Sequence, residues 1–83
     1  GQLTRKVYIM SKTVTAQYHT TVKIYNGLHN RADVEDVQRL LEEDTGVELS
    51  STTPIVDGEQ VSFEDDFADG ATIVFRSQSG TKG

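Results

Sequence analysis

The chain has 83 residues, a net charge of −5 and no cysteine. That length allows one compact domain with a modest core and leaves little room for a catalytic cleft. The missing thiols exclude disulfides and thiolate chemistry and fit a reducing, cytoplasmic setting; the acidic balance disfavours nucleic acid, and no apolar run approaches the roughly 20 residues of a membrane span.

Residues 3–25 read as strand. Val7 and Ile9 alternate with Tyr8 and Met10, Val14, Ala16 and Tyr18 continue the period of two, and Val22 and Ile24 repeat it. Threonines fill the gaps, as suits a pleated surface with one wet face. The pattern predicts a hairpin, with its turn either at "SKT" (11–13) or at "AQYH" (16–19). The Asn-Gly of "YNG" (25–27) favours positive φ and predicts the end of the second strand. Arg5, Lys6 and Lys12 gather near the N-terminus and read as a solvated strand edge.

Residues 33–45 form the one clear helix. Asp33 is placed to accept from the free amides of the first turn, and Asp36 holds the capping-box position. Val34, Val37, Leu40 and Leu41 define an apolar face, with Gln38, Arg39, Glu42 and Glu43 on the polar side. Gly46 is the expected left-handed terminator, and Val47 is placed to pack back on the last turn.

Strand signals return after the helix. "PIV", the turn "DG" (57–58) and "EQV" predict a short hairpin of type I′. "FEDDFADG" is a compact connection, and "ATIVFRS" is the last strand, whose Ile73, Val74 and Phe75 are apolar on both faces as in a central strand. The order is β-β-α-β-β-β, an α+β arrangement. One amphipathic helix needs a sheet to bury against, so a mixed sheet wrapped on the helix is expected. Residues 1–76 form the domain, and residues 77–83, polar and small, form a flexible tail.

This order resembles the β-grasp fold, and local matches point to its ubiquitin-like branch. "ADVEDVQRLLEEDTGV" (32–47) is similar to the ubiquitin helix, and "PIVDGEQV" (54–61) to the ubiquitin segment of apolar pair, glycine turn, Gln and apolar residue. "ATIVFR" (71–76) resembles the last ubiquitin strand, and a short tail ending in glycine follows it. The close of the chain, "VFRSQSGTKG", is similar to that of the PRTRC system protein C family, small ubiquitin-like proteins of bacterial plasmid-type gene clusters; "KIYNG" (23–27) also resembles a turn of that group. The narrower resemblance implies partnership with an E1-like adenylating enzyme. Residues Gly80, Thr81, Lys82 and Gly83 would then enter the partner, where the Gly83 carboxylate would be activated. Lys82 departs from the two terminal glycines of the family's activated modifiers.

The resemblance also implies a recognition face. Ubiquitin binds partners through an exposed apolar patch on its sheet. Ile55 matches one patch position, and Arg76 occupies another in the last strand, where a charge would disrupt the patch and exclude the usual ubiquitin receptors.

Other chemistry fails on spacing. A calcium loop starting at Asp65 would need oxygen ligands where Phe67 and Arg76 stand. The alternative is that Phe63 and Phe67 pin the loop while Glu64, Asp65, Asp66 and Asp69 face water. His19 and His29 do not make a zinc site by themselves. The hydroxyl run Ser50, Ser51, Thr52, Thr53 lacks a paired histidine and acid, and no glycine-rich phosphate loop occurs. The expectation is a monomeric protein-binding protein without catalysis, metal or cofactor. Two versions stay open: a modifier activated at Gly83, and a non-covalent adaptor. The rival class is an accessory or structural subunit on the same fold, such as a phage component or part of an enzyme complex.

Overall fold

A computed structural model describes residues 11–77. The expected strand over 3–10, the cations Arg5 and Lys6, and the tail residues Gly80, Thr81, Lys82 and Gly83 lie outside the described residues. The elements are β1 (Ser11–Tyr18), β2 (Thr21–His29), α1 (Val34–Thr45), β3 (Thr53–Val56), β4 (Glu59–Gln60) and β5 (Ala71–Arg76). They form one five-stranded sheet of order β2-β1-β5-β3-β4. β1 and β5 run parallel; the other pairs are antiparallel.

Val14 and Ala16 of β1 alternate with half-exposed Thr13, Thr15 and Gln17, so one face of β1 is dry. Ala71, Ile73 and Phe75 of β5 point the same way. Val34, Val37 and Leu41 of α1 pack onto that face, joined by Leu49 and Phe67. Phe75, Leu41, Leu49, Ile73, Val14, Val34 and Val37 are fully buried. Each such side chain contributes about 1.5–3 kcal/mol relative to exposure.

The hairpin turn falls on His19 and Thr20, because Tyr18 pairs with Thr21. "SKT" is the start of β1, and the turn begins at the last residue of "AQYH". "YNG" does not end the second strand. Tyr25 pairs with Val14 and Leu28 with Lys12, so Asn26 and Gly27 together oppose Thr13. This is a β-bulge, and Gly27 supplies the left-handed residue it needs with φ 74°. The Thr13 hydroxyl bonds the Asn26 side chain at 3.1 Å across it. β2 then continues to His29.

Helix α1 begins as expected. Asp36 N donates to Asp33 Oδ1 at 3.0 Å, and Asp33 N donates to Asp36 Oδ2 at 3.0 Å, which closes the capping box. Two more first-turn amides are satisfied by the connection after β4: Val34 N donates to Asp65 O at 3.0 Å and Glu35 N to Phe63 O at 2.9 Å. Gly46 ends the helix at φ 74°, and its N–H donates to Glu42 O at 2.7 Å. One assignment differs. Gln38 is buried, whereas Leu40 is only half-buried. Gln38 is admitted because its amide donates to Glu42 Oε2 at 3.0 Å.

Lys12 is not a solvated edge residue. It is 5% exposed, and its Nζ donates to Ala32 O at 2.9 Å and Phe67 O at 2.7 Å. The ammonium also lies 3.8 Å from the centre of the Phe67 ring. β1, the helix entry and the β4–β5 connection are thereby tied at one atom.

At the other helix end, Glu42 Oε2 accepts from Leu49 N at 2.7 Å. That bond, with the Gln38 amide, holds the Glu42 carboxyl below the usual glutamate range. Since the folded-state value is depressed, the unfolded chain binds the proton more readily. The contribution is complete above the unfolded value and is lost as pH falls through the folded one. We expect the gap in melting temperature between wild type and Glu42→Gln to narrow as pH drops below about 4. A constant gap from neutrality to acid would contradict this bond's role.

Candidate functional site: the open face of the sheet

No element of the described residues covers the face of the sheet opposite α1. The register fixes what lies there. Gln17 pairs with Val22 and with Val74, and Val74 pairs with Ile55, which pairs with Gln60. Paired residues share a face, so Val22, Gln17, Val74, Ile55 and Gln60 form one row across all five strands. A second row holds Ile24, Thr15 and Thr72. Val22 and Ile24 are 53% and 62% exposed, the large apolar residues most open to water among those described. Ile55 and Val74 are half-buried.

The register shows what stands beside Arg76. Its partner is Thr53, while the neighbour of Ile55 is Val74. The apolar pair at the centre of the face is therefore intact, and the guanidinium stands at its margin. Ile55 lies on this face beside Val74, and Arg76 is exposed at the end of β5. The other site residues foreseen, Gly80, Thr81, Lys82 and Gly83, fall outside the described residues.

At the Arg76 end, the sheet and the hairpin tip border an open concavity of about 340 Å³ lined by Gln17, His19, Val74, Phe75, Arg76 and Ser77. His19 adopts φ 55°, and its ring leans on Tyr18 with centroids 4.3 Å apart. The Gln17 amide donates to His19 O at 3.3 Å. Among the described residues no carboxylate lies within ion-pair distance of Arg76; the one ion pair is Arg39–Glu35 on the helix, at 2.9 Å.

Several polar groups elsewhere are engaged in holding the fold. In the acidic connection, Asp65 Oδ2 accepts from Ser62 N at 2.9 Å and Asp69 Oδ1 from Thr13 N at 2.8 Å. The carbonyls of Phe63, Asp65 and Phe67 are taken by helix amides and Lys12. Phe67 is buried, and Phe63 stacks on Phe75 at 6.4 Å, so these rings pin the loop. Ser50 donates to Glu48 Oε2 at 3.0 Å and Thr52 to Leu49 O at 2.6 Å; neither hydroxyl meets a histidine. His29 Nδ1 accepts from Arg31 N at 3.0 Å. The Tyr25 hydroxyl donates to Asp44 Oδ2 at 2.6 Å; burial first, then that carboxylate, push the phenol above its usual value. Among the described residues, no three histidine, aspartate or glutamate side chains gather as metal ligands would.

Solved structures place this architecture. A protein designed de novo on the basis of ubiquitin aligns with a TM-score of 0.72 at 16% identity, over 89% of this chain and 96% of its own. The chain has the ubiquitin-like β-grasp fold. The N-terminal ubiquitin-like domain of the 4931431F19Rik protein aligns with a TM-score of 0.60 at 14% identity, over 89% of this chain and 83% of that one. The ubiquitin-like domain of Plasmodium falciparum Dsk2 aligns with a TM-score of 0.54 at 11% identity, over 80% and 99%. In sequence, no family profile and no curated protein matches. Among the described residues, no helix is long and apolar enough to cross a membrane.

Sequence reasoning singled out Ile55 on this face but missed Val22, Ile24 and Val74 as members of it. The available signal lay in β1. Its dry residues are Val14 and Ala16, so whatever opposes Thr15 and Gln17 must face water.

Proposed function

We propose that this chain is a small ubiquitin-like protein that works by being bound, and that the open face of its sheet is where a protein partner docks. The observation that carries this reading is the Ile55–Val74 pair with Val22 and Ile24 beside it, left uncovered on a chain of net charge −5. Apolar surface kept in water is unfavourable for a monomer and is recovered when a partner covers it.

In the fuller version of this reading the chain is a bacterial modifier related to the PRTRC system protein C group. The Gly83 carboxylate attacks the α-phosphate of ATP on an adenylating partner. A C-terminal acyl-adenylate forms and pyrophosphate leaves. This version is supported by the resemblance of "VFRSQSGTKG", which begins within β5 and runs on in sequence past its last residue, Arg76. The chain supplies the carboxylate, and the partner supplies the chemistry. Lys82 at the penultimate position favours the simpler version, a non-covalent adaptor or accessory subunit that uses the same face.

The test compares proteins recovered from cells that make this chain, using tagged wild type and the double variant Ile55→Thr/Val74→Thr. Threonine keeps the strand preference while removing apolar contact. Loss of a partner from the double variant, with Glu43→Lys on the helix retaining it, supports the face. An identical set from all three contradicts it. Deleting residues 80–83 is expected to abolish ATP–pyrophosphate exchange with an adenylating partner; a partner bound without exchange leaves the adaptor version.

A further inference from the structure

The concavity at the hairpin tip has a chemistry of its own. Among the outward positions of β1, β5 and β3, Arg76 is the one charged residue; the others are Ser, Thr, Gln, Val and Ile. It stands where the face meets the turn, with Gln17, His19 and Ser77 around the same hollow. The hollow therefore offers guanidinium, imidazole and amide donors beside an apolar wall, Val74. The chain's 13 acidic residues, by contrast, lie on the helix, the turns, β4 and the connections.

The turn brings a histidine to the same hollow. Among the described residues, His19 and Asp57 are the two non-glycine residues at positive φ. Asp57 begins an Asp-Gly turn, where that conformation is ordinary. His19 is the first central residue of the two-residue β1–β2 hairpin turn, which likewise calls for positive φ, although glycine or asparagine would adopt φ 55° at lower cost. Its ring is not loose. It rests on Tyr18, which packs against the core, and His19 is among the residues that line the hollow.

We propose that this hollow receives a carboxylate from the docking partner, an Asp or Glu side chain flanked by apolar residues that lie on Val74 and Ile55. The inference rests on the open face being the docking surface, and it adds what the partner must carry. Arg76 pairs the carboxylate, while His19 and the Gln17 amide orient it. A lone carboxylate on an apolar segment suits the site better than a polyanion, because the net charge of −5 repels polyanions at long range.

The experiment uses the isotopically labelled full chain and two capped probe peptides. One alternates leucine with glutamate, the other leucine with lysine. The expected result is saturable amide shifts at Gln17, His19, Val74, Arg76 and Ser77 with the glutamate peptide and none with the lysine peptide. Arg76→Gln should weaken the glutamate peptide by about tenfold, the loss of one charge-assisted contact. His19→Gly should weaken it too, while melting at or above the wild-type temperature because the turn is relieved. Equal binding of both peptides overturns the carboxylate site and leaves the apolar docking face standing. No saturable binding of the glutamate peptide, or full affinity in Arg76→Gln, overturns the proposal outright; the docking face is then judged on its own by partner recovery.

Discussion

Leu41→Asp is expected to abolish the folded state. Leu41 is fully buried on the helix face that meets the sheet, among Val14, Ile73 and Phe75. Truncating such a leucine to alanine alone costs about 2–5 kcal/mol. A carboxylate in its place has no cation to meet: the buried ammonium among the described residues, Lys12, sits at the helix entry and already bonds two carbonyls. Burying it ionised, or protonating it to avoid that, adds several kcal/mol. A domain of this size holds only about 4–12 kcal/mol of net stability. Circular dichroism should show loss of structure and of a cooperative melt. Leu40→Asp, one residue away but half-exposed, should still fold. A wild-type melt for Leu41→Asp would mean the helix buries another face.

The second large effect is Lys12→Met. Methionine matches the length of the buried stem but donates nothing. The carbonyls of Ala32 and Phe67 would lose a donor inside the protein, and the Phe67 ring would lose its cation. Each unsatisfied buried carbonyl costs about 1–3 kcal/mol. We expect a loss of about 3 kcal/mol, which for a domain of this length lowers the melting temperature by about 12–24 °C. Thermal unfolding measures it. A melting temperature unchanged by Lys12→Met would show that water or a shifted loop satisfies both carbonyls. Then Lys12 would not be the tie that holds the β4–β5 connection to the helix entry.

Lys12 also shows where sequence reading stops. In the sequence it is one of three cations near the N-terminus, and nothing local separates it from Arg5 or Lys6. Its burial comes from contacts 20 and 55 residues away. Local signals served well where one residue type has one conformational use. Asp33 with Asp36 marked the helix start, Gly46 its end, and Asp57–Gly58 a turn with φ 50° and 89°. They served less well where two uses compete. Asn-Gly favours positive φ in a turn and in a bulge alike, and at Asn26–Gly27 the strand continues through the bulge.

The open face of the sheet was half legible for a similar reason. Val22 and Ile24 alternate with Lys23 and Tyr25, so β2 alone would put the aliphatic pair inside. The register set by β1 does the reverse. Ala16 opposes Lys23 and Val14 opposes Tyr25, which turns Tyr25 toward the core and leaves Val22 and Ile24 in water. That Val74 rather than Arg76 stands opposite Ile55 is likewise a matter of strand register, which no run of sequence displays.

The central claim is that a protein docks on the open face of the sheet. Site-specific photocrosslinking tests it most directly. A benzophenone amino acid is placed at Val74, at Ile24 or at Glu43 on the exposed side of the helix, and cells making each variant are irradiated. Discrete adducts from Val74 and Ile24, with none from Glu43, are the result predicted. Adducts from Glu43 alone would put the partner on the helix, and a bare sheet face in every sample would contradict the account.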